Sequence, residues 1–503
     1  MPQALFASVV SMFMVSYFLL NHDVAATISN SENILDGLSV NDIFAIKDTP
    51  MVIILYMIPV LIHRLVPVLD ITWSFLLFTL VLLHVSMALC FTIIKNIPTF
   101  SSKKSIFILI LYLYYVTSVI ATIQVQMPFG QREHYSAIFI TPYLFSIISL
   151  VYDVKLSKKI RYLVGFSAAI GFCLKPQFAM IFIASELFVM IYQGRCFAWL
   201  RPEAMTIGTF GIGYLIAWRA FYPAYFSELS YRLEILNQYT TIFNYSVIST
   251  AIKFSFVVIL LFAFSYVGSD REYKWISAYG LILSITAILI MIQQNRAFSH
   301  HVYYVVFFIF LQAFILCRLH TFWLTLILLT LLTLFVMYAD EWRPWRGENL
   351  LEQKMERRSQ IYTTADRLAP YIQNRKVTVL SPQIIFVWPT LTMAGAKESS
   401  PERMLSFLEI VYRRHGMCCV TINELFPEEQ YVQNKIIYYF LQKKPDMVLV
   451  FNFIGKSPVY VLRHFQMDSR FHTLWANYQL VTEIEMPLAN DMRGQFELYQ
   501  RYK

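Results

Sequence analysis

Residues 50–69 read PMVIILYMIPVLIHRLVPVL, and whether this segment crosses a membrane decides the sidedness of everything after it. It is apolar from Met51 to Ile62, then carries His63 and Arg64, with Pro59 and Pro67 on either side of that pair. A spanning helix needs about 20 consecutive, mostly apolar residues. This segment is too short and too interrupted for that. It fits a helix lying in the water–lipid interface, or dipping part-way in.

The composition around it sets the medium. Of 503 residues, 57% are hydrophobic, 17% aromatic and only 15% charged, against about 25% charged in soluble domains. The charge is uneven: 39 of the 73 Asp, Glu, Lys and Arg side chains follow Tyr338. The chain therefore divides into a polytopic α-helical membrane part, 1–338, and a soluble tail, 339–503. Candidate spans lie at 4–20, 71–94, 105–123, 135–152, 162–174, 177–193, 203–219, 251–267, 275–292, 302–317 and 321–338, eleven in all, with 162–174 the shortest. The first stretch has neither a basic leader nor a small-residue cleavage site, so it reads as a retained span rather than a signal peptide.

Loop charges arbitrate the topology, because cytoplasmic loops concentrate Lys and Arg. If 50–69 does not cross and the N-terminus is cytoplasmic, the inner loops hold Lys95, Lys103, Lys104, Lys155, Lys158, Lys159, Arg161, Arg195, Arg201, Arg271, Lys274 and Arg318. The outer loops then hold only scattered cations: Lys47, Arg64, Arg132, Lys175, Arg219, Arg232 and Arg296. If the segment crosses, everything after it inverts and the bias runs the wrong way. The first arrangement places the tail outside the cytoplasm. It also explains the net charge of +9 through inner loops, without nucleic acid as a partner. The six cysteines include no pair with zinc spacing. Cys418 and Cys419 are adjacent, and read as two ordinary thiols.

With this topology the unusual polar clusters share the outer face. Asp23, in Asn21-His22-Asp23, follows the first span directly, where a carboxylate stays wet enough to ionise and can be roofed into a cleft. The loop after it has apolar positions Val24, Ile28, Ile34, Leu35 and Leu38, the pattern of amphipathic helices on a membrane surface. Gln131, Arg132, Glu133 and His134 are four consecutive polar side chains at the head of an apolar run. Ionisable residues there are costly and usually functional, although an interfacial anchor with a snorkelling Arg132 accounts for them equally well. Arg132 matches a phosphate bidentately, and Glu133 or His134 could hold a proton or a sugar hydroxyl. Lys175 is wedged between two apolar segments, where it either snorkels or meets an anion. Gln294, Arg296, His300 and His301 cap two later spans. Adjacent histidines are a weak metal signal, and no metal or cofactor has positive support, although a divalent ion remains possible.

These pieces together resemble the GT-C superfamily of integral-membrane glycosyltransferases, which includes the protein O-mannosyltransferases and the aminoarabinose transferase of lipid A. The resemblance rests on the Asp closing the first span, the amphipathic outer loop ending in Asp48-Thr49-Pro50, the FGQREH patch at 129–134, GFCLKP at 171–176, and the late Gln294-Asn295-Arg296 with His300-His301. It covers the membrane part. It implies an enzyme of a bacterial inner membrane that takes a sugar from a polyprenyl-phosphate donor on the extracytoplasmic face and passes it to a lipid, glycan or protein acceptor. Carried over, Asp23 is the base. Arg132, Lys175 and Arg296 are then donor-phosphate cations, with Glu133 and His134 as further catalytic candidates. His22, Gln131, Gln294, His300 and His301 are substrate-binding. Two departures from the family pattern are His22-Asp23 in place of paired acids and Thr49-Pro50 in place of a double proline, and the first weakens any metal-bound mechanism. A single base acting in one displacement implies inversion at the anomeric carbon. The alternatives are a transporter or flippase of lipid-linked saccharide, and a surface-polysaccharide polymerase or ligase. No internal repeat favours the transporter.

The tail reads as α/β. Strands are expected at 375–380 and 446–452, helices at 400–414 and 424–443, and a closing hairpin from 478–485 and 496–501. It has no Gly-rich phosphate loop and no nucleophile elbow, so it serves acceptor binding or scaffolding.

The topology makes a direct prediction. Single cysteines placed in 95–104 react with a maleimide only when it can enter the cytoplasm, and cysteines in the tail react with an impermeant maleimide added outside. Labelling of 95–104 from outside would invert the arrangement.

Overall fold

A computed structural model of the chain describes residues 20–37, 49–97, 129–223, 225–226, 244–266, 270–294, 299–317, 350–384, 386–400, 405–415, 422–454, 457–487 and 493–502. The first expected span at 4–20 up to residue 19, those at 105–123 and 321–338, and the Cys418-Cys419 pair lie outside these residues.

Asn21 opens α1 (His22–Leu35), its side chain accepting from the Asp23 amide at 2.8 Å. That is the N-cap arrangement that satisfies an otherwise orphaned helix donor. The decisive segment forms α2 (Pro50–Leu65), with Pro50 at its first turn, where the missing N–H costs nothing. Next come α3 (Ile71–Ile94), α4 (Arg132–Val151), α5 (Lys158–Cys173), a 3-10 turn at Pro176–Phe178 and α6 (Ala179–Gln193). They are followed by α7 (Pro202–Phe221), α8 (Asn244–Tyr266), α9 (Arg271–Gln293) and α10 (Ser299–Cys317).

Among the described residues four helical stretches are long and apolar enough to cross a membrane: Ile71–Ile94, Arg132–Val151, Pro176–Gln193 and Arg271–Gln293. They correspond to the expected segments 71–94, 135–152, 177–193 and 275–292. The helices α5, α7, α8 and α10 occupy the remaining described candidate positions but fall outside this set. Hydropathy reads an apolar segment without seeing where its helix starts. In α5 the helix recruits Lys158, Lys159 and Arg161 at its head. In α7 it recruits Glu203 and Arg219.

The hydrogen bonds order the helices. Ser136 and Ser167 hydroxyls donate to Gly171 and Phe139 carbonyls, each at 2.8 Å, so α4 and α5 run antiparallel. Gly171 makes this crossing close: a Cβ there would lie 2.8 Å from Ile140 Cγ2. The Ser185 and Tyr279 hydroxyls meet at 2.9 Å and Phe188 stacks on Tyr279, which sets α6 against α9. α4 sits at the centre, with nearly all its side chains buried from Glu133 to Val151.

Hydrogen bonds and an ion pair hold both ends of α2. At its head Thr49 donates to the Leu174 carbonyl at 2.9 Å, beside Lys175. At its tail Arg64 Nη2 meets Asp36 Oδ1 at 2.7 Å, at the end of α1. The 16-residue helix, roughly 24 Å long, is thus tied at its head to the turn after α5 and at its tail to the end of α1.

The C-terminal part begins with α11 (Leu350–Ile372) and contains a five-stranded sheet in the order β2-β1-β3-β7-β6. Here β1 is Lys376–Leu380, β2 Lys397–Glu398, β3 Met447–Phe451, β6 Tyr478–Pro487 and β7 Arg493–Arg501; a separate two-stranded ribbon pairs β4 (Phe453–Ile454) with β5 (Ser457–Pro458). Strands β2, β1 and β3 are parallel, and β7 and β6 form the antiparallel hairpin. The central strand β3 is buried throughout, as expected of a strand covered on both faces. Val448 and Val450 pack in a cluster with α13 (Ser406–His415) and α14 (Pro427–Lys443). Met447, Leu449 and Phe451 pack on the other face with α11 and α12 (Val387–Met393). That second cluster is continuous with Val24 and Ile28 of α1. Polar contacts reinforce the junction: Asn33 Nδ2 donates to the Glu398 carbonyl at 2.6 Å and the Ser29 hydroxyl to Glu398 Oε2 at 3.3 Å. The tail thus docks on the helix that starts at Asp23, on the same side of the bundle.

His464, in α15 (Val461–Gln466), is buried between Phe407, Tyr412 and Phe465, with Nε2 3.0 Å from Gln433 Oε1. Burial lowers its pKa from 6.5 to about 4. Below pH 6.5 the unfolded ring binds a proton that the folded ring refuses, so stability falls with pH and levels off near pH 4. The loss at pH 5 is about 2 kcal/mol. Hydrogen exchange of β3 amides across pH 7 to 5 measures it, and His464→Asn flattens the slope.

Candidate active site

Two sequence patches meet at the head of α4. Gln131 is its N-cap residue, and its buried Nε2 donates both to Asp23 Oδ2 at 3.0 Å and to Asn21 Oδ1 at 3.1 Å. The helix start at residue 132 and the helix start at residue 22 are thereby tied together. His22 Nε2 stands 3.6 Å from the same Asp23 oxygen. Asp23 lies in the first turn of α1, where the exposed N–H groups and the helix dipole favour its charge.

Two residues on, about half a turn around α4, Glu133 is buried and meets Lys175 Nζ at 2.9 Å. The same ammonium donates to Gln294 Oε1 and lies over the Phe178 ring, 5.9 Å from its centroid. Sequence reading assigned Lys175 to a donor phosphate and Glu133 to proton transfer. The structure gives each of them the other as a charge partner. A buried carboxylate needs a close cation, and the turn between α5 and α6 delivers one.

His134 lies deeper still. Its Nδ1 accepts from the Gly130 amide at 2.9 Å, which in a neutral ring puts the proton on Nε2. The Phe129 ring lies tilted against it, centroids 5.1 Å apart, and Tyr303 meets it edge-on at 6.1 Å. The Gly130 carbonyl in turn accepts from Tyr56 of α2. Gly130 has φ +74, and the Phe75 ring occupies the space a side chain would need. Only glycine turns the chain here without strain. His134 therefore belongs to the packed turn that aims Gln131, rather than to the open surface.

Accessibility separates the two carboxylates. The Asp23 side chain is 30% exposed and that of Glu133 only 1%. A molecule from solution can reach Asp23 and not Glu133. Arg132 is half-buried at the first position of α4, beside Gln131. His301 is buried in the first turn of α10, next to Tyr303 and Tyr304. Arg296 lies outside the described residues, as does the side chain of His300. Among the described residues no three His, Cys, Asp or Glu side chains converge on a metal position.

The structure adds residues that sequence reading did not single out. Asn21 shares the Gln131 amide with Asp23, and its position just before a helix start was a usable N-cap signal. Tyr56 and Tyr303 had none, because tyrosines are too plentiful in this chain. No known protein family matches the chain, and no curated protein matches its sequence.

The pair at the centre predicts a charge-specific response. Lys175→Met leaves Glu133 buried without its cation and costs about 3–5 kcal/mol. Adding Glu133→Gln restores most of that, read as thermal unfolding in detergent. Equal losses in the single and double variants would assign the effect to packing.

Proposed function

We propose that this chain is a membrane glycosyltransferase of the GT-C kind, moving a sugar from a polyprenyl-phosphate donor to a hydroxyl of a lipid, glycan or protein acceptor. The observation that carries the reading is the contact between Gln131 and Asp23, which presents one accessible carboxylate in a layer of otherwise buried polar side chains. The site lies at the end of the helix bundle where the tail docks, which suits a donor whose lipid stays among the spans and an acceptor that arrives from water. In the proposed topology this is the extracytoplasmic face of a bacterial inner membrane.

The chemistry follows from what each group can do. The acceptor hydroxyl gives its proton to Asp23 as its oxygen bonds to the anomeric carbon. The bond from that carbon to the phosphate oxygen breaks on the opposite face, and polyprenyl phosphate leaves with the electron pair. A single displacement inverts the anomeric configuration. General-base help of this kind contributes about 10²–10⁴-fold. The Gln131 amide and the helix dipole keep Asp23 oriented and ionised until the proton arrives. His22 lies beside the same carboxylate oxygen. Arg132 and Arg296 are the proposed phosphate contacts. Lys175 contributes through Glu133 and Gln294 by setting the floor of the site.

Asp23→Asn keeps the Gln131 contact and helix start while removing the base. It abolishes sugar transfer to the acceptor, with a loss of about 10² or more, in a protein that still inserts and elutes as a single species. Retained transfer would remove Asp23 from the mechanism. Arg132→Ala raises the apparent KM for donor with little change in kcat.

A further inference from the structure

The turn between α6 and α7, residues 194–201, lies at the end of the bundle away from Asp23. The Tyr192 hydroxyl at the close of α6 donates to the Val151 carbonyl at the close of α4 at 3.1 Å. The 20-residue α4, roughly 30 Å long, separates that level from Gln131. Arg161 in the first turn of α5 grips Glu203 in the first turn of α7, which puts the head of α5 beside the turn. Trp275, near the head of α9, packs edge-on against Tyr192 with centroids 5.3 Å apart.

Hydrogen bonds close the turn on itself. Gly194, with φ +62, ends α6, and the Arg195 amide donates to the Met190 carbonyl at 3.3 Å, in the left-handed helix stop that glycine favours. The Ala198 amide donates to the Arg195 carbonyl at 3.2 Å and the Leu200 amide to the Phe197 carbonyl at 3.0 Å. Arg201 then turns inward, Nε donating to the Ala198 carbonyl at 3.2 Å and Nη2 meeting buried Glu186 at 2.6 Å.

A turn fixed in this way holds three large apolar side chains outward. Phe197 is 74% exposed, Leu200 52% and Trp199 42%. Such a patch marks a surface that another apolar medium or molecule covers. Two observations favour lipid. Exposed apolar side chains lead into the turn from both sides, Ile183, Leu187 and Ile191 along α6 and Met205 and Ile212 along α7. α6 belongs to a stretch long enough to cross a membrane, and aromatic side chains are enriched where such a stretch meets the headgroups. The second observation is charge. At this end Lys155, Lys158, Lys159, Arg195, Arg271 and Lys274 are exposed, against Asp153, Asp270 and Glu272. Cations are therefore in excess there among the described residues.

We propose that the 194–201 turn is a docking surface for anionic phospholipid. Phe197, Trp199 and Leu200 enter the acyl boundary of the leaflet, and Arg195, with Lys158 and Lys159, meets the headgroup phosphates. In the proposed topology this end faces the cytoplasm, where the leaflet carries negative lipid. The proposal does not depend on sugar transfer at Asp23.

The full chain reconstituted in vesicles tests it, with phosphatidylglycerol or phosphatidylcholine brominated on the acyl chains and present at equal mole fraction. Tryptophan emission is read in the wild type and in Trp199→Phe, and the difference isolates Trp199. Brominated lipid quenches that difference, and brominated phosphatidylglycerol quenches it at least about twofold more than brominated phosphatidylcholine. Lys158→Gln, Lys159→Gln and Arg195→Gln together bring the two lipids level, while quenching by phosphatidylcholine persists. Absence of quenching by either lipid would mean that water or a protein partner covers the turn, and would overturn the proposal. Equal quenching by both lipids in the wild type, or a headgroup preference that survives the triple variant, would overturn it as well.

Discussion

A lysine ammonium held between apolar helices must find its charge and hydrogen-bond partners inside the protein. Lys175 finds them on two helices at once, Glu133 at the head of α4 and Gln294 at the end of α9. It sits itself in the turn between α5 and α6. Three chain segments far apart in sequence are thereby held at one level, and because each contributes at or beside a helix end, the polar side chains form a layer. Apolar packing alone would not choose that level, since one ring of Leu and Phe slides past another at little cost. A buried pair pays heavily for any shift that separates it.

A second buried pair braces the bundle elsewhere. Arg201 Nη2 meets Glu186 Oε1 at 2.6 Å, with Tyr143 donating to the same oxygen. Nearby in sequence, Arg161 forms a bidentate pair with Glu203 at 2.8 Å on both arms. α4 contributes to both, through Glu133 and Tyr143, and nearly all of its side chains are buried. α1 plays the corresponding part outside the bundle. It begins in the Asp23 site and ends against Glu398 and Lys397 of the tail, so any movement of the tail bears on the helix that carries the proposed base.

Much of this was legible in residue order. The strands β1, β3, β6 and β7 follow from short β-branched and aromatic runs, and α14 from its periodicity. His63 and Arg64, which interrupt the apolar run of 50–69, anchor the tail end of α2 to Leu69 and Asp36. The helix α12 and the two-residue strand β2 were not legible, because so short an element has no period to detect.

The chain alone determined which residue types could do chemistry and which of them lie at the ends of apolar runs, because run length is a property of local composition. It placed Asp23, Gln131, Glu133, Lys175 and Gln294 at helix ends. Only the tertiary structure decided how they pair. Glu133 and Lys175 are 42 residues apart, and Asp23 and Gln131 108 apart. Whether a carboxylate is buried with a lysine or left open to substrate depends on which helix ends pack together, and that is a property of contacts which residue order does not carry.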